Sequence, residues 1–378
     1  MCSICGIVDF YQRRNLDESV LYNMGAKQKH RGIDSSGIYR CENAIFHHNR
    51  LSVIDLENGA QPMTAVKNGC AYTIVYNGEI YNSPELRRDL SLKGAHFKTD
   101  CDTETVLWSY IIYGEDCPKY LNGIFAFCVY DGKINKVFIA RDRLGVKPFF
   151  YSVCNTSFVF ASEIKSLLCH PYISHDIKKE GLWELLFLSP VRTIGGGIFK
   201  DVKELPPAFC GSYSKDGLIL KKYWTLEAKQ IDIGADEAAD YTRELVCDAI
   251  KRQLVSDVPL AVLLSGGLDS SAVSAISSEN YKNNGKILST YSFEYEGNNI
   301  TGVEAYDRVY LGTRNRTDNN HTISNVTVNL VVNDAPINLL YAASVSGTRN
   351  DDGDAAAVAV AEEGAEVIVD TQMINNVV

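Results

Sequence analysis

Two near-continuous apolar runs joined by a turn signal constrain the fold more than any other stretch of this chain. Ile124-Phe125-Ala126-Phe127-Cys128-Val129-Tyr130 stops at Asp131-Gly132, and Val137-Phe138-Ile139-Ala140 returns. Asp-Gly between such runs predicts a β-hairpin. A strand that is apolar at successive positions offers no face to water, so its sheet must be covered on both sides. Ala71 to Tyr76 is another strand-like run, stopping at the turn signal Asn77-Gly78, and Phe158-Val159-Phe160-Ala161 is a further one. Helical periodicity lies between them, over Glu104 to Tyr113. Residues 1 to about 165 therefore predict a two-sheet core covered by helices.

The 378 residues suit two domains. A net charge of −10 speaks against a nucleic-acid partner, which needs a clustered basic face. No apolar run approaches the ~20 residues of a membrane span, so no membrane partner is expected. The start, Met1-Cys2-Ser3-Ile4-Cys5-Gly6-Ile7-Val8-Asp9, lacks a signal-peptide pattern. Eleven cysteines without regular spacing read as reduced thiols in a cytoplasmic protein. Cys2 and Cys5 form a C-x-x-C pair, but no second ligand pair at similar spacing accompanies it, which argues against structural zinc.

Cys2 carries a different chemistry. Loss of Met1 alone makes it the N-terminal residue, and its α-amine, with a reference pKa of about 8, then stands beside its thiol. One residue supplies nucleophile and base. Elsewhere, polar residues stand where strands end: Arg50 before Leu51-Ser52-Val53-Ile54-Asp55, Asn77-Gly78-Glu79 after a strand, and Asp102 in the loop before the Glu104 helix. For an α-amino-acid substrate, Arg50 could pair with the carboxylate as a bidentate fork and Asp102 with the ammonium. Asn77 and the Gly78 N–H could meet a developing oxyanion. Spacing alone is better served by a surface arginine, a turn and a helix-capping aspartate.

The order of motifs decides between these readings. Cys2-Ser3-Ile4, Lys29-His30-Arg31-Gly32, Arg50 to Asp55, Gly59-Ala60-Gln61-Pro62, Tyr76 to Asn82, Leu121 to Phe127 and Ala140-Arg141-Asp142-Arg143-Leu144-Gly145 resemble, in order and spacing, the class II glutamine amidotransferase domain. The sequence is most similar to the glutamine-hydrolysing asparagine synthetase family, from residue 2 to about 295. Ile33 departs from the family's proline, a change in loop stiffness rather than chemistry. The resemblance implies an α+β N-terminal-nucleophile sandwich, layered α/β/β/α, over residues 2–210. It implies Cys2 as nucleophile with Asn77 and Gly78, and a glutamine site of Arg50, Leu51, Ser52, Val53, Ile54, Asn77, Gly78, Glu79 and Asp102. Cys5 is the rival nucleophile, since Cys-Gly-Ile also looks like a family start, but it requires removal of four residues.

A glycine-rich, loop-like join runs through Gly195-Gly196-Gly197 and Leu205-Pro206-Pro207, and a domain boundary is expected between 210 and 233. An amphipathic helix is expected to about Val255, then a buried strand over Val258 to Leu264 that runs into Ser265-Gly266-Gly267-Leu268-Asp269-Ser270-Ser271 and a helix. Strand, glycine turn and helix N-terminus together suit phosphate binding. The loop resembles the pyrophosphate-binding loop of ATP pyrophosphatases. That resemblance implies a partial α/β adenine-nucleotide-binding domain over 234–378, with Leu263, Ser265, Gly266, Gly267, Asp269, Ser270, Ser271 and Tyr295 at ATP and Asp269 at Mg²⁺. The implied reaction amidates aspartate with ammonia drawn from glutamine, at the expense of ATP, in a protein whose oligomeric state could be a homodimer. A glutaminase-only or regulatory chain is the alternative. Beyond Glu296 the composition turns to Asn, Val, Ala and Thr; a helix over Ala355 to Ala361 and a strand over Glu366 to Asp370 are expected. The family's Ser-Gly-Glu motif does not follow that strand, where Asp370-Thr371-Gln372 stands, so an atypical, truncated second domain is expected.

Overall fold

The computed structural model describes residues 2–11, 16–154, 156–188, 193–296, 299–306, 328–331 and 366–369. The chain divides into two compact units, Met1–Gln230 and Ile231–Val378. The first opens with β1 (Ser3–Val8), α1 (Glu18–Lys27), β2 (Ser35–Arg40), β3 (Ala44–Arg50), β4 (Met63–Lys67) and β5 (Cys70–Ile80). Helices α2 (Ser83–Leu92) and α3 (Asp102–Tyr113) precede β6 (Gly123–Asp131), β7 (Lys136–Arg141), β8 (Phe150–Cys154) and β9 (Ser157–Ala161). Short α4 (Ile164–Leu167) and α5 (Lys179–Trp183), then β10 (Lys203–Glu204), β11 (Phe209–Ser214) and β12 (Gly217–Lys222), complete it.

These strands form two six-stranded sheets, in the orders β10-β8-β9-β1-β3-β2 and β12-β11-β7-β6-β5-β4, with every pairing antiparallel. Strand alternation explains the layers. On β6, Phe125, Phe127 and Val129 pack with Leu86 and Leu90 of α2 and Val106, Leu107 and Trp108 of α3. The intervening Ala126, Cys128 and Tyr130 pack against the other sheet, with Ile4 and Val8 of β1, Phe46 of β3 and Phe160 of β9. The opposite parity of β1, Cys5 and Ile7, meets Leu21 and Met24 of α1 and Leu167 of α4. The fold is thus the expected α/β/β/α sandwich, and the doubly apolar runs are the inner strands that both kinds of layer require.

The β6–β7 hairpin forms as expected, with Asp131 paired to Lys136. The other turn signal is overruled. β5 runs straight through Asn77-Gly78-Glu79 to Ile80, with Gly78 opposite Phe125. A Cβ at Gly78 would lie 2.4 Å from the Ile124 carbonyl oxygen, so glycine here permits close approach of β6 rather than a turn. Asp102 is likewise not in a loop but is the first residue of α3. The second sheet continues through β11 and β12, so a boundary at 210 would divide β11.

In the second unit, α6 (Ala235–Arg252), β13 (Ala261–Leu263), α7 (Leu268–Asn283), β14 (Ser289–Glu296) and β15 (Asn299–Tyr306) follow one another. β13 and β14 are parallel across α7, a βαβ unit, and β15 is antiparallel to β14. The strand expected over Val258 to Leu264 is reduced to three residues and is not buried, with Leu263 65% exposed. Pro259 has no N–H to give a ladder, and β13 is the edge of its sheet. A pair of β16 (Val328–Val331) and β17 (Glu366–Val369) is also present. The expected Ala355 to Ala361 helix and Asp370-Thr371-Gln372 lie outside the described residues.

Candidate active site

The inner parity of β1 and β5 leads directly to the site. Continuing Ile4 backwards places Cys2 on the inter-sheet side, and continuing Val75 forwards places Asn77 and Glu79 there. At this end of the sandwich a cavity of about 160 Å³ is lined by Cys2, Arg50, Leu51, Asn77, Glu79 and Asp102, among others. The structure therefore brings together residues as far apart in the chain as Cys2 and Lys147. Val53, Ile54 and Gly78 also line it; Ser52 does not, and its N–H donates to Asp34 at 2.7 Å.

The Leu51 N–H donates to Cys2 Sγ at 3.3 Å, and Sγ lies 3.6 Å from the Leu51 carbonyl oxygen. Arg31 Nε donates to the Cys2 carbonyl at 3.2 Å, which fixes the backbone of the thiol residue. Burial pushes the Cys2 thiol above its ordinary range, opposed by the Leu51 N–H and the Arg50 charge. The rival Cys5 is fully buried in the layer under α1, and burial pushes its thiol up to about 12. It does not line the cavity.

Asn77 is 1% exposed, and its Nδ2 has no hydrogen-bond partner among the described residues. A buried amide donor left unpaired costs about 1–3 kcal/mol. Such a cost at the wall of a cavity marks a donor waiting for an acceptor. Asp102 reaches the cavity from the helix layer, with Oδ2 accepting from Tyr76 Oη at 2.7 Å and from the Ile80 N–H at 3.1 Å. Burial raises its carboxyl, and these hydrogen bonds oppose the rise. Burial and the Asp102 charge push Glu79 up to about 7, against the opposing pull of Lys147.

Arg50 corrects the expected geometry. Its Nη1 donates to the Leu56 carbonyl at 3.0 Å, and Nη2 to those of Ile54 at 3.1 Å and Asp55 at 2.6 Å. Of its five N–H donors, three are thus held by the following loop. An end-on fork through both terminal nitrogens is already occupied by the chain. Nε–H and one Nη1–H are what the residue has to offer a carboxylate. Gly59 is the cradle for this arrangement, since a Cβ there would lie 2.1 Å from Arg50 Nη2.

Sequence reasoning missed Gln61, Tyr76, Thr103 and Lys147 as cavity residues. Gln61 Oε1 accepts from the Tyr76 N–H at 2.7 Å and its Nε2 donates to Thr103 Oγ1 at 3.1 Å, which ties β5 to α3. The signal available was the Gly59-Ala60-Gln61-Pro62 block, whose regularity had no role attached.

The nucleotide residues group differently. Ser265, Gly266 and Gly267 form the turn into α7, with Gly266 at φ 78 and Gly267 capping the helix, and Asp269, Ser270 and Ser271 stand in its first turn. Ser265 and Ser270 hydroxyls are 3.1 Å apart, and Ser270 Oγ donates to the Gly267 carbonyl at 3.1 Å. Leu263 pairs with Tyr291 through the backbone. Tyr295 is on β14, beside an irregularity in register, and its side chain lies outside the described residues. Asp269 is exposed, and among the described residues no group of three His, Cys, Asp or Glu could hold a metal. Among the described residues, no helix is long and apolar enough to cross a membrane.

The family model for the glutamine amidotransferase domain matches residues 1–224, and that for asparagine synthase matches residues 241–327, past the point where the resemblance was expected to stop. Asparagine synthetase [glutamine-hydrolyzing] 3 of Bacillus subtilis is 47% identical over 299 residues, covering 79% of this chain and 49% of that protein. Asparagine synthetase B [glutamine-hydrolyzing] of Escherichia coli is 34% identical over 281 residues, covering 73% of this chain and 45% of that protein. The chain spans about half the length of the curated relatives it matches.

Proposed function

The chain belongs to the glutamine amidotransferase domain family, and from that premise we propose that the Cys2 cavity hydrolyses glutamine to glutamate and ammonia. Loss of Met1 frees the Cys2 α-amine, which accepts the thiol proton. The thiolate attacks the side-chain carbonyl carbon of glutamine. The carbon–nitrogen bond then breaks, ammonia leaves with that proton, and water cleaves the thioester to release glutamate. A buried thiol that is protonated at rest needs such a local base, which fits the upward displacement at Cys2. Asn77 Nδ2 and the Gly78 N–H are assigned to the oxyanion. Arg50 receives the carboxylate, Glu79 and Asp102 the ammonium, and Leu51, Val53 and Ile54 shape the wall, with Ser52 held outside it by Asp34. The observation that carries this reading is the buried, unpartnered Asn77 Nδ2 in the same cavity as Cys2.

We assign residues 2–210, with β11 and β12 added, to the glutamine amidotransferase domain and 234–378 to an asparagine synthetase-type domain. Its Ser265–Ser271 turn suits a nucleotide's phosphates: three hydroxyls stand at the start of a sixteen-residue helix, whose first N–H groups have no intrahelical acceptor. Mg²⁺ binds through one or two carboxylates together with phosphates, so Asp269 suffices only alongside ATP. When bound, ATP with Mg²⁺ supplies the activation of the aspartate side chain that ammonia then amidates. The whole reaction we assign is glutamine-dependent asparagine synthesis, by an enzyme that we place in the cytoplasm with no nucleic-acid partner. None of the eleven cysteines is in a disulfide, which suits a reducing compartment.

Glutamate release from glutamine tests the first half. Cys2→Ala should abolish it and Cys5→Ala should leave most of it. Undiminished release by Cys2→Ala would sink the assignment.

A further inference from the structure

Lys147 lines the Cys2 cavity although it is 7% exposed, and nothing in the proposed chemistry yet uses it. Its peptide is clamped on both sides by the preceding Arg141-Asp142. Asp142 Oδ2 accepts from the Lys147 N–H at 3.0 Å and from the Phe125 N–H at 3.2 Å, while Oδ1 accepts from the N–H groups of Leu144 and Val146. Arg141 Nε donates to the Lys147 carbonyl at 2.7 Å, and its other nitrogens donate to Gly145 and Leu205 carbonyls and to Glu204. Two buried charged side chains thus serve to hold one short turn, with Lys147 at its end. The backbone that carries this ammonium is thus fixed, and an ammonium in so buried a wall is costly unless negative charge faces it.

The cavity supplies that charge. Lys147 interacts with Cys2, Glu79 and Asp142 on the favourable side, and with Arg31 on the unfavourable side. Glu79 and Asp102 share one cavity wall, and two carboxylates so placed resist simultaneous ionisation. Tyr76 and Tyr81 also feel the Glu79 charge, and Tyr76 is bonded to Asp102. Lys147 is the cation that offsets this repulsion at Glu79.

We propose that Lys147 is a positioning residue of the glutamine site: its backbone is locked into the cavity wall by Arg141 and Asp142, and its ammonium favours the carboxylate form of Glu79 that receives the ammonium of glutamine. The proposal rests on the glutaminase reading above. Glu79, at about 7, is only partly ionised at neutral pH; without the Lys147 charge its carboxylate fraction falls and its grip on the substrate weakens, while Cys2 and Asn77 keep their places.

The test compares the full chain with Lys147→Met and Lys147→Arg. Glutamate release is followed against pH, and Glu79 is titrated without substrate by carboxyl ¹³C NMR, assigned with Glu79→Gln. In the parent, kcat/KM should rise with pH through a limb near 7, the value at Glu79. Lys147→Met should raise the glutamine KM about tenfold with little change in kcat, and move both the limb and the Glu79 titration upward by about one pH unit. Lys147→Arg should restore both. A Glu79 titration unchanged in Lys147→Met overturns the proposal, whether or not glutamine is hydrolysed. Unmoved kinetics in that variant overturn it equally. Loss of release in Cys2→Ala, measured alongside, reports on the glutaminase reading by itself.

Discussion

Arg50 has two tasks whose separation can be measured. Its terminal nitrogens hold the carbonyls of Ile54, Asp55 and Leu56, and its remaining N–H groups are assigned to the substrate carboxylate. Removing one partner of a charge-assisted contact costs about 1.5–3 kcal/mol, or roughly tenfold to a hundredfold in kcat/KM. Arg50→Ala is expected to lose that much toward glutamine. Gly59→Ala should lose efficiency in the same direction and lose stability as well, because the new methyl meets both the pinned Arg50 guanidinium and, at 2.9 Å, the Asp55 carbonyl oxygen. Glutamine kinetics with a thermal melt distinguish the two. Parent-like kinetics in both variants would remove Arg50 from the site. At this scale the sequence pointed to Arg50 itself through its motif, but not to where its nitrogens point. That direction is set by a loop whose carbonyls become acceptors only after the chain has folded back.

Among the elements, β5 is the one that local rules misread. Asn-Gly after an apolar run is a turn signal because glycine tolerates positive φ, yet Gly78 is not among the glycines with positive φ. Its missing side chain is used against the β6 backbone instead, in a pairing that runs from Tyr72–Asp131 to Ile80–Gly123. Gly78→Ala should therefore cost about 1–3 kcal/mol of stability, as overpacking against a backbone atom does, and should also reduce glutamine turnover by shifting Asn77. A melting temperature equal to the parent's would show that β6 can yield. The hairpin of β6 and β7 and the helix at Glu104 were legible because their patterns are local. Asp102 at the start of α3 and the run-through of β5 depend on partners far away in sequence. The same holds for Lys147: the Arg141 to Gly145 motif was visible, but its role as a clamp appears only when Asp142 is seen to collect four N–H groups.

At the scale of the whole molecule, the first unit contains three separate apolar layers, each formed by one parity of its strands. The site lies where the inner parity of two facing strands ends, so Cys2 and Asn77, the proposed nucleophile and oxyanion donor, come from opposite sheets. Composition and apolar runs foretold this layering, since strands apolar on both sides admit few other arrangements. The second unit was less legible. Its expected buried strand is a three-residue edge, and its Ser265–Ser271 turn is recognisable by pattern alone. The central claim is that Cys2, freed of Met1, is the nucleophile for glutamine. Its most direct test is to treat the full chain with a diazoketone analogue of glutamine and locate the adduct by peptide mass spectrometry. The expected result is one adduct per chain, on an N-terminal Cys2, suppressed by excess glutamine. An adduct on Cys5 or another cysteine, or on a chain that retains Met1, would contradict it.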